Sequence, residues 1–178
     1  MALYNVPNGT LHHPNNSIGI YEPGADMVSQ SDLTQFYKLY TPRVPQGWAP
    51  EVDGIDGANV TLTPVIASGE ADLDAMMIIP IVYPQRAKMY QTQTQTLLGL
   101  FNQFLDAIDG TYCNYSAFGE TGDDPEIDGN TPHEQCGVFK PAAVISSSYS
   151  YGENHYPASY SEVSFALIVV NSNASSTG

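Results

Sequence analysis

Short apolar strands alternate with amphipathic helices along this chain, and that alternation admits few folds. Ser17-Ile-Gly-Ile-Tyr-Glu22 has the length and apolar character of a buried strand, and Pro23-Gly24 closes it with a turn. Leu33, Phe36, Tyr37 and Tyr40 then fall at helical spacing, with Ser31 as the expected N-cap and Pro42 as the stop. Residues 43 to 58 read as loop, and Val60 to Ile66 as a strand interrupted by Pro64. A second helix is predicted from about Gly69 to Met77, capped by Ser68 and ended by Pro80 at the latest, and Ile78 to Tyr83 as a central strand. A third helix is predicted from about Thr96 to Ile108, with Gly110 at its C-terminal cap. Residues 110 to 140 read as a long acidic loop, Gln91 to Gln95 as strand or loop, and Ala142 to Ser148 and Phe165 to Val170 as further buried strands. Strands and helices in this order predict an α/β fold, a parallel sheet with helices packed on it.

Charge excludes one class of partner. The 178 residues carry 19 acidic against 5 basic side chains, a net charge of -14. Such a surface repels nucleic-acid backbones and anionic membranes, and its self-repulsion relaxes as carboxylates protonate, which suits an acidic medium. No segment has the ~18 consecutive apolar residues of a membrane span. Cys113 and Cys136 are the only cysteines and can pair or stand apart. Glycosylation sequons begin at Asn8, Asn15, Asn59, Asn114 and Asn173, and with the acidic surface they favour secretion. Met1-Ala-Leu-Tyr-Asn-Val-Pro7 lacks the basic start and apolar stretch of a signal peptide, so the export signal is expected outside this chain.

The segment Ser68-Gly-Glu70-Ala-Asp72-Leu-Asp74 carries the chemistry. On a helix, Glu70 and Asp74 stand on one face a turn apart, where like charges destabilise a bare helix. Brought together in a cleft, two such carboxyls share a proton, and one can then take a proton from a nucleophile and return it to a leaving group. The competing reading is an acidic first helical turn facing water, favoured by the helix dipole.

The segment resembles the Glu-x-x-x-Asp helix of the sedolisins, serine-carboxyl peptidases with a subtilisin-like fold (peptidase S53), and most closely their fungal secreted tripeptidyl-peptidase branch. The likeness extends to Ala2-Leu-Tyr-Asn-Val-Pro7, Gly19-Ile-Tyr-Glu-Pro-Gly24, Pro80-Ile-Val-Tyr-Pro-Gln85, Gly119-Glu-Thr-Gly-Asp-Asp-Pro125, Cys136-Gly-Val-Phe-Lys-Pro141 and Val144-Ile-Ser-Ser-Ser-Tyr149. It spans about residues 2 to 160. Residues 161–178 do not match and are expected to be a divergent tail. The resemblance implies an incomplete subtilisin-like fold, with Glu70 as general base for a serine and Asp74 as its carboxyl helper. It places a second carboxyl of the proton network at Glu22, for which a solvent-facing strand end is the alternative. Tyr149 or Tyr151 would line the substrate groove. Asp72 has no family role and reads as solvent-facing.

The family's Gly-Thr-Ser nucleophile motif and Gly-Asp-Ser-Gly oxyanion motif do not occur in the 178 residues, nor does a counterpart of its calcium site. The expectation is therefore a peptidase fragment, inactive alone and without a metal. The parent enzyme would act on peptides or proteins, carry an N-terminal prodomain and bind calcium elsewhere. A secreted peptide-binding remnant is the alternative. A glycoside hydrolase fits less well, since its two carboxyls flank the scissile bond about 5 to 9.5 Å apart. Asp124 to Gly129 lacks the twelfth-position glutamate of a calcium loop and reads as an acidic turn. His12, His13, His133 and His155 have no zinc-ligand spacing.

Overall fold

The computed structural model describes Asn5 and residues 7–63, 69–92, 100–114, 116–117, 120–121, 134–150, 152–155 and 158. In chain order the elements are β1 (Ser17–Glu22), α1 (Gln30–Tyr40), β2 (Glu51–Ile55), α2 (Gly69–Val82), β3 (Arg86–Thr92), α3 (Leu100–Ile108), β4 (Ser116–Ala117), β5 (Glu120–Thr121) and β6 (Val144–Ser147). Four strands form one sheet in the order β2-β3-β1-β6, and β1 runs parallel to both of its neighbours. The fold is α/β with a parallel sheet and three helices.

The chain divides into two compact units, Met1–Gly54 with Ala58–Gln91 and Pro141–Ser148, and Ile55–Gly57 with Thr92–Lys140 and Tyr149–Gly178. The core of the first joins Ile20 of β1, Leu33 and Tyr37 of α1, Ala71, Ala75 and Ile79 of α2, and Met89 of β3. Gly19 lets strands and ring close up: a Cβ there would lie 2.8 Å from the Tyr90 ring and 3.0 Å from Ile145. The Tyr90 ring lies across this point, and its hydroxyl accepts the Ala142 N–H at 2.8 Å, tying β3 to the residues ahead of β6. Burial, with the charges of Asp53 and Glu51 adding and the Ala142 bond opposing, pushes the Tyr90 phenol up to about 12.

In the second unit α3 is anchored by the Tyr112 hydroxyl on Asn102 Oδ1 at 2.5 Å. Gly110 does not take a left-handed cap conformation; the left-handed glycine packed against it is Gly137, with φ 61°. A Cβ on Gly137 would fall 2.6 Å from the Gly110 nitrogen, so these two glycines permit a close backbone approach beside Cys136. Cys113 and Cys136 are joined by a disulfide across a separation of 23 residues.

Four further sequence expectations are corrected. Helix α1 begins at Gln30, because Ser29 rather than Ser31 caps it: the Ser29 hydroxyl accepts the Asp32 N–H at 3.3 Å. Residues 51–55 form β2, not loop, and Lys88 of β3 reaches Asp53 there at 2.8 Å. Residues 60–63 form no strand, while Pro64 to Ile66 and Ser68 lie outside the described residues. The run Ile78 to Tyr83 is the last part of α2 and the turn after it, not a strand, and Pro80 sits inside the helix. Tertiary contacts override both the proline and the β-branched composition: the Tyr83 N–H still bonds the Ile79 carbonyl at 2.9 Å. The guanidinium of Arg43 takes the carbonyls of Pro80 at 2.6 Å, Tyr83 at 3.0 Å and Gly9 at 3.2 Å. The expected strand from Phe165 to Val170 lies outside the described residues.

Candidate active site

The site begins with the rotation of α2. Ala71, Ala75 and Ile79, four residues apart and each with no exposed surface, fix the buried face of the helix. That rotation leaves Asp74 buried, at 8 % exposure, and Glu70 half-buried one turn ahead of it, about 6 Å along the axis. Both carboxyls lie in the N-terminal half of α2, Glu70 in the first turn, where the helix dipole favours negative charge.

Asp74 has a partner from another element. The Ser148 hydroxyl, one residue past β6, lies 2.9 Å from Oδ1 and 2.7 Å from Oδ2 of Asp74, so one O–H is shared between both oxygens. In the parallel register Tyr21 stands opposite Ser147, which carries Glu22 alongside Ser148 one residue further on. Glu22 is fully buried, so the solvent-facing alternative does not hold. The carboxyl edge of β1 and β6 thus brings together Glu22, Ser148 and, through Ser148, Asp74. The carboxyl ends of parallel strands are where open α/β sheets place their ligands.

Asp72 is not solvent-facing as its sequence position suggests. It is half-buried, and its Oδ1 accepts the Ser29 N–H at 2.8 Å. Burial, and then a hydrogen bond and like charge from Asp32, raise its carboxyl to about 6, while the Ser29 bond acts the other way.

The remaining candidates fall elsewhere. Tyr149 is half-buried in the second unit, and Tyr151 lies outside the described residues. Asp124 to Gly129 and His133 also lie outside them, while His12, His13 and His155 are exposed. Among the described residues, Cys113, Glu134 and Cys136 are close enough together to hold a metal, but two of the three donors are sulfurs already joined to each other. A cleft of about 420 Å³ lies between α1 and the far end of α2, lined by Phe36, Tyr40, Arg43, Met76, Met77 and Ile81. Its lining has no carboxylate, and it belongs to a different part of the helix from Glu70 and Asp74.

Glu70 and Asp74 thus stand a turn apart on α2, and Ser148 at the strand ends bonds Asp74. Aorsin of Aspergillus oryzae is 44% identical to this chain over 173 residues, 90% of the chain and 26% of aorsin. The chain belongs to the sedolisin family. Two further sedolisin relatives agree: tripeptidyl-peptidase sed1 of Aspergillus fumigatus is 36% identical over 89% of the chain, and tripeptidyl-peptidase SED1 of Arthroderma otae 34% over 89%. The chain spans about a quarter of the length of these relatives. No family model matches it, and no solved structure does. Among the described residues no helix is long and apolar enough to cross a membrane.

Sequence reasoning missed Ser148. It stands in the run Ser146-Ser147-Ser148, where nothing in composition distinguishes the third serine. The only available signal was position, since the first residue past a parallel strand faces the ligand edge.

Proposed function

We propose that this chain is the base-bearing part of a secreted serine peptidase that works at acidic pH. In this reading Glu70 takes the proton from a serine nucleophile and returns it to the leaving amine. Asp74, steadied by Ser148, holds Glu70 in place and shares its proton, and buried Glu22 extends the proton network. The single observation that supports it most is the placing of Asp74: buried at the sheet's carboxyl edge, bonded to Ser148, one helical turn from Glu70 on the same face. A surface acidic turn would need neither the burial nor the serine. Two carboxyls on adjacent turns also suit proton sharing better than opposite-side attack on a glycosidic bond.

The serine and the oxyanion stabiliser belong, in this reading, to the much longer parent, along with its calcium site and its prodomain. Residues 1–160 supply the start of the subtilisin-like catalytic domain and residues 161–178 a tail outside the family pattern. Tyr149 and Tyr151 are proposed to border the peptide groove. Oxyanion stabilisation is usually the largest catalytic contribution, so the 178-residue chain alone should not turn over peptides. The sequons and acidic charge support an extracellular glycoprotein.

The test is a chimera. The matching 166 residues of Aspergillus fumigatus tripeptidyl-peptidase sed1 are replaced by those of this chain. The chimera is expected to release tripeptides at acidic pH while the isolated chain releases none. A folded chimera without activity contradicts the catalytic reading. An isolated chain that binds peptides while the folded chimera stays inert would instead support a binding remnant.

A further inference from the structure

We propose that Asp72 and Asp32 form an acid latch, in which one proton shared between their carboxyls ties the first turn of α2 to the capped start of α1. The geometry converges on Ser29. Its N–H donates to Asp72 Oδ1 at 2.8 Å, and its hydroxyl accepts the N–H of Asp32 at 3.3 Å while capping α1. The Ser31 hydroxyl lies 2.8 Å from that of Ser29 and 3.4 Å from Asp32 Oδ1, which closes the cluster. The Asp32 side chain is also within hydrogen-bonding reach of the Asp72 carboxyl, and two such carboxyls repel when both are charged and hydrogen-bond when one is protonated. Asp32 faces Asp72 from α1, whereas Glu70 and Asp74, two residues to either side on α2, do not face it, so the two aspartates are the facing carboxyls. Among the described residues no cation offsets them at Asp72.

The direction of the pH effect follows. The Asp72 carboxyl is raised from 3.8 to about 6 in the folded chain, burial being the first cause and Asp32 a further one. A raised acid binds its proton more tightly folded than unfolded. The stabilisation is therefore complete below the unfolded value and lost as pH rises through about 6. Below that point α2, and with it Glu70 and Asp74, is held against α1; above it the joint is repulsive. The consequence for Glu70 rests on the catalytic reading above, whereas the latch itself does not.

The experiment uses the full 178-residue chain. Carbon-detected NMR titration of the aspartate carboxyls should give Asp72 a midpoint near 6, and Asp32→Asn should move it down toward the ordinary range. Asp72→Asn should abolish part of the pH dependence of thermal unfolding, because an amide donates to Asp32 at every pH. Relaxation of the net charge of -14 raises both proteins on acidification, so the reading is their difference. The parent should gain about 5 °C more than the variant between neutral and acidic pH. Should Asp72→Asn fail to fold, Asp32→Asn provides the same comparison from the other helix. An Asp72 midpoint in the ordinary range, or variants that keep the parent's full pH dependence, would overturn the latch. Neither result depends on peptidase activity, so the latch and the catalytic reading can fail separately.

Discussion

Glu70→Gln in the sed1 chimera is expected to lower kcat by about 10³- to 10⁴-fold, with KM changed by less than about threefold. Glutamine has nearly the same size and keeps a polar head, so the half-buried start of α2 should still form. It cannot accept a proton from a serine, and that loss falls on the transition state rather than on substrate binding. Steady-state kinetics with a tripeptide-releasing substrate separate the two parameters. A rise in KM with kcat preserved would mean that Glu70 only binds. A melting curve of the variant, expected within ~2 °C of the parent chimera, shows that the fold was not what changed.

Arg43→Ala is expected to destabilise the 178-residue chain by about 3 kcal/mol in urea unfolding. One guanidinium serves the carbonyls of Pro80, Tyr83 and Gly9, and it lies 5.4 Å from the Tyr83 ring centre. Alanine leaves the end of α2 without those donors, at the place where Pro80 has already removed one intrahelical bond. Arg43→Lys should recover less than half of the loss, since a single ammonium cannot span three carbonyls as a planar fork does. A loss below about 1 kcal/mol would mean that the packing of Ala71, Ala75 and Ile79 holds the helix without help.

That arginine also explains where the sequence was a poor guide. Helix α2 was legible at its acidic start but not in its length. Its apolar residues lie on every side: Ala75 and Ile79 are buried, while Leu73, Met77 and Ile81 are about half exposed. An all-round apolar run has no helical period to read, and a proline within it suggests an end. Strand β3 was hidden for the opposite reason. Arg86-Ala-Lys-Met-Tyr-Gln-Thr92 is polar, yet it is an interior strand whose Lys88 is satisfied by Asp53 and whose Gln91 donates to the Asp26 carbonyl at 2.8 Å. Partners that distant along the chain leave no local mark. By contrast β1 and α1 were legible because apolar period and turn signals coincide within a few residues, although the cap is Ser29 and not Ser31.

The same division holds at the site. The four-residue spacing of Glu70 and Asp74 is local and could be read directly. The serine on Asp74 and the meeting of Asp72 with Asp32 come from elements brought together only by the sheet and by the packing of α1 on α2. A sequence reading therefore placed Glu70 and Asp74 on one helix, missed the serine on Asp74, and sent Asp72 to the solvent.

Glu70 and Asp74 are proposed to act as one unit, and a double-mutant cycle on kcat of the chimera reads that coupling. Asp74→Asn alone should cost about 10²-fold or more, and combining it with Glu70→Gln should cost little beyond Glu70→Gln alone. Losses that multiply, or a Glu70→Gln chimera within about tenfold of its parent, would contradict the claim.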